Sequence, residues 1–445
     1  MIKSIVLALV FLLAAGVPAH ATNIKEVTSG GGIKAWLVED HKLPIVSMRF
    51  AFRGGVEQDP VDKQGLAMLS MRLMAEGAGP YDAAAFQQRL ADHSITIDFS
   101  AGRDALSGTF RSLSKDRKYG ADLLGLALAA PRTDMKDFTR ARDQQLSTLR
   151  AQLSDPNWQA RYALFREVFA NHPYGLRSLG STKTLTSLTQ KDVKTFIHDH
   201  LAQDNVIVAV AGDITEPELS DMLDETFGKL PKHAELKEVK EVVWPSTPKT
   251  ILTQREGTQT ELLFAMPAPK EDDPDWYAAE IANYIVGGGG FSARLMQDVR
   301  DKKGLTYGIY TTLSPADHAG LFIGSAATDN PKTKEAWDVA ADTMRRFYED
   351  GATEKEINAA KDYLTGSIPL ELTSTQSIAA VMVELQMRHR GTDYLDKSSK
   401  LIRDVPNEDV QAAIRKWFNP DRLTLSMVGK PASMPPTETY SLMRE

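Results

Sequence analysis

The chain carries nine histidines and no cysteine. Disulfides and thiolate chemistry are excluded, so a bound metal would need His, Asp or Glu ligands. Two imidazoles on a helix meet one metal when they stand four residues apart on a shared face. His198 and His200 in "FIHDHL" are two apart instead, which turns the second ring about 200° around a helix axis. His172 lies in a turn-like "NHPYG", and His41, His93, His233, His318 and His389 are isolated in sequence. A metal site assembled by long-range folding stays open. Charge stabilisation is a different chemistry, for which a guanidinium and a phenol are suitable donors. Arg300 and Tyr307 stand seven apart, a spacing that chance alone produces in a chain of this length.

The elements that must position such residues come in two copies. "TQKDVKTFIHDHLAQDNVIVAVAGD" (189–213) aligns without a gap on "PNEDVQAAIRKWFNPDRLTLSMVGK" (406–430), with Asp192 on Asp409, Val193 on Val410, Asp204 on Asp421 and Gly212 on Gly429. Each copy predicts a helix with apolar residues at helical spacing, a turn, and a buried strand ending at Gly. Upstream, the helical stretch 135–169 matches 353–387 in character. A charged, proline-marked segment, 233–247, is expected to link an N-terminal half, 22–232, to a C-terminal half, 248–445. More than 400 residues exceed what one core organises. The expected fold class is α+β: two homologous halves, each a mainly antiparallel sheet with helices on one face, forming a clamshell.

In the first half, "RGGVEQDPVDKQGLAMLSMRLMAEGAG" predicts a helix capped by Asp62, running to about Ala75 and stopped by Gly77. The run resembles the insulinase/pitrilysin family of zinc peptidases, near the bacterial members similar to mitochondrial processing peptidase. In that family "GLAHxxEHxxFxG" follows the same Gly-Leu-Ala. Its two His hold zinc from one helix face, and its Glu takes a proton from the bound water. Carried over residue by residue, the first His position is Met68, the Glu position is Met71 and the second His position is Arg72. Met is a poor ligand for such a zinc, and Arg brings positive charge to where the cation would sit. The family's third ligand, a Glu some eight residues before an Asp-Pro, falls near Thr148, and no carboxylate lies between Gln144 and Ser154. The resemblance therefore implies no zinc in this chain. The strand expected over 95–110 corresponds to the edge on which the family holds extended peptide. Asp98 stands there where Asn is usual, and an ordinary amphipathic strand is the alternative.

The second half keeps more of the family pattern. "GGGGFSARLMQDVRDKKGLTY" is similar to the family's "GGGxSSRLxxxxRExxGLxY". Ser292 is expected to cap a helix through about Lys302, Gly304 to stop it, and "LTYGIYTTLS" to form a strand. Gly287, Gly288, Gly289 and Gly290 make either a flexible turn or a loop that lets peptide backbone approach. The resemblance implies that Arg300 and Tyr307 bind substrate and stabilise the oxyanion. The alternative is a solvated Arg and a core Tyr.

The N-terminal "MIKSIVLALVFLLAAGVPAHA" has one Lys, a short apolar run and small residues at Ala19 and Ala21. It is expected to be a signal peptide, 1–21, directing export to a periplasm. No later segment is apolar enough to span a membrane. With 52 basic and 59 acidic residues, the chain lacks the basic excess of a nucleic-acid binder.

Within the family, two homologous chains can divide one site. The expected function is thus the non-catalytic, substrate-binding subunit of a heterodimeric zinc metallopeptidase, with zinc held by an HxxEH-bearing partner and peptides as substrates. The alternative is an inactive peptide-binding or scaffold protein of the same fold.

Overall fold

A computed structural model describes residues 23–440; the expected signal peptide lies outside the described residues. The first half contains β1 (Lys25–Thr28), β2 (Lys34–Glu39), β3 (Ile45–Arg53), β4 (Thr96–Ala101), β5 (Ala105–Leu113) and β6 (Val206–Gly212). Its helices are α1 (Leu66–Met74), α2 (Ala83–Asp92), α3 (Arg117–Ala129), α4 (Met135–Leu153), α5 (Pro156–Val168), α6 (Thr182–Ser187), α7 (Gln190–His200) and α8 (Glu216–Phe227). The second half contains β7 (Thr250–Gln254), β8 (Gln259–Pro267), β9 (Ile309–Ala316), β10 (Ala319–Asp329), β11 (Thr424–Gly429) and β12 (Glu438–Tyr440). With them come α9 (Trp276–Asn283), α10 (Thr333–Asp350), α11 (Glu354–Ser367), α12 (Thr375–Met387), α13 (Tyr394–Arg403) and α14 (Asn407–Trp417).

The strands form two six-stranded sheets, ordered β1-β2-β6-β3-β5-β4 and β12-β7-β11-β8-β10-β9. Past the terminal strands β1 and β12, the two orders correspond position for position. Both are mainly antiparallel, with the parallel pair β2/β6 matched by β7/β11. The correspondence extends to side chains. Phe50 on β3 lies opposite Gly108 on β5, and Phe264 on β8 lies opposite Gly324 on β10. A Cβ on either glycine would come within 2.0–2.1 Å of the facing ring, so each ring packs where only hydrogen fits.

Strand alternation sorts each sheet into two apolar faces. Val46, Met48, Phe50 and Phe52 join the helices of the first half in one core. Leu262, Phe264 and Met266 do the same in the second. The opposite faces are covered by exchange. α12, from the second half, packs Ala379, Met382 and Val383 on Trp36, Ala209 and Ala211 of the first sheet. α5, from the first half, packs Ala160, Leu164 and Val168 on Leu263, Ala265 and Leu321 of the second.

Helices thus lie on both faces of each sheet, not on one. An amphipathic helix does not announce which sheet it covers, and α5 and α12 cover the distant one. The segment 233–247 has no regular secondary structure, yet it is pinned. Glu235 N donates to Asp199 O at 2.7 Å, Val242 N to His318 O at 3.0 Å, and Trp244 packs on Phe169 with ring centres 5.7 Å apart.

Candidate functional site

α1 is the helix on which metal chemistry was to be sought. It begins at Leu66, not near Asp62. Asp62 sits in a single 3-10 turn, Val61–Lys63, and makes no cap. Asp59 does the capping, accepting from Gly65 N at 2.8 Å and Ala67 N at 2.9 Å. Gly65 turns the chain into the helix at φ 93°, so the cap reaches across a turn that local spacing does not reveal. Burial pushes the Asp59 carboxyl up to about 7 despite these donors, because desolvation penalises the charged form.

Along α1, Met71 is buried in the first core, with 2% exposure, and Met68 packs half-buried against that core. Arg72 occupies the third position and is half-buried. Thr148 lies on α4, which packs beside α1, but its hydroxyl is spent on Gln144 O at 3.0 Å. One turn back, buried Gln145 donates to Gly65 O at 2.9 Å and so ties α4 to the start of α1. Two thioethers, a guanidinium and an internally bonded hydroxyl do not fit zinc. Among the described residues, no cluster of three His, Asp or Glu could hold a metal. His198 and His200 engage Asp199 and Phe196 O separately.

In the second half, α9 runs into a π-wound turn, Tyr284–Gly288, and a second π-wound segment spans Met296–Asp301. Such windings are uncommon and recur near functional sites. The expected α-helix from Ser292 is therefore wound differently, and Ser292 donates to Gly289 O at 2.8 Å within its own turn rather than capping it. Gly287 is buried, where a Cβ would meet the Thr311 hydroxyl at 2.3 Å; Gly290 adopts φ +58°. Gly288 and Gly289 complete this tight, ordered turn.

Arg300 is the penultimate residue of the second π segment. Its guanidinium donates to Asp301 at 2.7 Å and lies over the Phe291 ring at 4.9 Å. Tyr307 precedes β9 rather than lying in it, because the strand starts at Ile309, and it is 89% exposed. It borders a shallow groove of about 320 Å³ with Tyr310, Glu261 and Asn157. The structure does not join Arg300 and Tyr307 by a contact.

The expected strand over 95–110 is a hairpin of two, β4 and β5, broken by a turn at 102–104. The Gly-Arg-Asp at that turn was its visible signal. β4 is the outermost strand of its sheet. Asp98 is exposed on it, with the Thr109 hydroxyl at 3.5 Å. Beside this edge lie Arg49 and Arg111, which sequence reasoning missed. Their signal was the matching Ser-x-Arg and Thr-x-Arg on one face of paired strands.

Comparison with known proteins agrees with this architecture. Residues 187–364 match the family model described as Peptidase M16 inactive domain. The crystal structure of a peptidase M16 inactive domain from Pseudomonas fluorescens is similar over 93% of this chain and 99% of that one, with TM-score 0.87 and 27% identity. A non-peptidase homolog, YmxG of Helicobacter pylori, is 24% identical over 368 residues, 83% of this chain and 85% of its own. The periplasmic protease PqqL of Escherichia coli shares the fold, with TM-score 0.79 and 13% identity over 92% of this chain and 46% of its own. Among the described residues, no helix is long and apolar enough to cross a membrane. With the duplicated fold and an α1 that carries Met68, Met71 and Arg72 in place of zinc chemistry, the chain is similar to the M16, insulinase-like peptidases, and its residues 187–364 match their inactive-domain model.

Proposed function

We propose that the chain is the non-catalytic, substrate-binding subunit of an exported, two-chain zinc peptidase. A homologous partner bearing HxxEH would hold the zinc, and this chain would contribute Arg300 and Tyr307. The observation that carries the reading is the state of those two donors. Tyr307 stands 89% exposed, and its hydroxyl has no hydrogen-bond partner among the described residues. Among the described residues, Arg300 has one ion pair, with its sequence neighbour Asp301, and its guanidinium lies over the Phe291 ring. A phenol and a guanidinium left available at a surface, beside an ordered glycine turn, suit charge stabilisation in a site completed by another chain. The substrates would be short or unfolded peptides, and the expected leader supports a periplasmic location.

The test is to isolate the native complex and measure peptide hydrolysis with Arg300→Ala and Tyr307→Phe. Turnover should fall while the complex keeps its zinc; unchanged turnover in both variants would sink the reading. One observation favours a scaffold role instead: Arg300 and Tyr307 do not touch within this chain. If the native companion lacks HxxEH, that second reading takes over.

A further inference from the structure

On the face of the first sheet turned toward α12, β3 and β5 present two adjacent cross-strand rows. Ser47 lies opposite Arg111, and Arg49 lies opposite Thr109. With Thr96 of β4 and Gln376 of α12, these residues line a cavity of about 310 Å³. α12 covers the β2/β6 side of this face, and the cavity extends from the helix head to the outermost strand.

Both guanidiniums are uncompensated. Among the described residues neither has an ion pair or a hydrogen bond. Asp98 shares the face opposite Thr109, but its hydrogen bond comes from the Thr109 hydroxyl, not from either arginine. Burial holds the Arg49 guanidinium below its ordinary pKa, as expected of a cation that gives up water without gaining a protein anion.

The framework does not ask for arginine at these places. Following strand register outward from Gly212 and Gly429, Leu263 occupies in the second sheet the place of Arg49, and Ala327 the place of Arg111. The same register matches Phe50 with Phe264 and Gly108 with Gly324, so the correspondence is not slipped. At these two positions one copy of the scaffold carries Leu263 and Ala327, with Glu261 opposite the latter, and the other copy carries two arginines. Two like charges facing one concavity repel until an anion joins them.

We infer that the Arg49–Arg111 cavity binds the carboxylate of a peptide, at its C-terminus or on an acidic side chain; the inference rests on the peptide-binding reading above and narrows its substrate class. A planar guanidinium matches a carboxylate with two parallel hydrogen bonds, whereas the neighbouring Ser47 and Thr109 hydroxyls are already bonded to Thr375 and Asp98. The positive end of α12 adds a smaller contribution of the same sign.

Fluorescence anisotropy on the full mature chain tests this with four labelled octapeptides of one otherwise uncharged sequence. They carry a free or an amidated C-terminus, each with a central Glu or Gln. A carboxylate-bearing peptide should bind about 10-fold tighter than the amidated Gln peptide, and the gap should shrink as salt rises. Comparing the free-acid Gln peptide with the amidated Glu peptide identifies the source of the carboxylate. Arg111→Gln should abolish the preference; Arg111 is exposed, so the fold tolerates it. Arg49→Lys keeps the charge without the fork and should keep only part of the preference. Equal binding of all four peptides, or a preference that survives Arg111→Gln, overturns the carboxylate site and leaves peptide binding standing. No binding of any of the four overturns the peptide-binding reading and this inference with it.

Discussion

The Ser47 hydroxyl on β3 and the Thr375 hydroxyl at the head of α12 share a hydrogen bond of 2.9 Å, although 328 positions separate them in the chain. The bond marks where a helix of the second half seats on the sheet of the first. Below it, Ala379 and Met382 are fully buried among Trp36, Ala209 and Ala211.

That seating should carry stability for both halves. Met382→Ala removes a buried side chain from the crossing and should cost about 2–5 kcal/mol. Thermal or urea unfolding should show a lowered midpoint for probes in each half, not in one alone.

Metal should be irrelevant to the isolated chain. Elemental analysis after dialysis should find no stoichiometric zinc, and a chelator should leave the unfolding midpoint unmoved. Installing the peptidase Glu by Met71→Glu should instead destabilise the fold by about 3 kcal/mol or more, because position 71 lies in the apolar core and an unpaired carboxyl there loses its water.

The cap on α1 should make stability depend on pH with an unusual sign. Burial pushes both Glu57 and Asp59 up to about 7, above their ordinary values. The folded state therefore holds protons that the unfolded chain releases. Their contribution is fully present below about pH 4 and is lost as pH rises toward 7, at up to about 1.4 kcal/mol per pH unit for each group. Asn keeps an acceptor for the cap but does not titrate. The stability difference between the protein and Asp59→Asn should accordingly change across that window and be flat above it.

The opposite sign is expected at Glu356. Its carboxylate receives two bonds of 2.7 Å from Arg294 and the Thr353 amide at 2.8 Å, and its pKa is lowered to about 2. This contribution is present above about pH 4.5 and fades as pH falls toward 2. Glu356→Gln should cost about 1 kcal/mol at neutral pH, and the difference should vanish in acid.

Much of this was legible from residue order. β6 and β11 stood out because mostly apolar runs ending at Gly suit a strand buried on both faces, and the duplicated segment announced two halves. The missing zinc chemistry was equally plain, since Met68, Met71 and Arg72 are wrong in kind whatever the fold. Other features depend on contacts that sequence spacing does not encode. Asp59 replaces Asp62 as the cap because Gly65 bends the chain back across six residues. At Gly287 the π-wound turn meets Thr311 too closely for any side chain, a contact that residue order does not show. Arg49 and Arg111 are ordinary strand arginines until register sets their rows side by side, next to the head of α12.

The exchange of α5 and α12 bears on how the molecule can come apart. A chain cut within 233–247 would leave each sheet with one apolar face stripped of its cover, unless both pieces stay together. Expressed singly, each piece should aggregate or remain partly folded; expressed together, they should recombine into a nicked but native particle. The two copies are thus held together by these crossed helices as well as by the segment that links them.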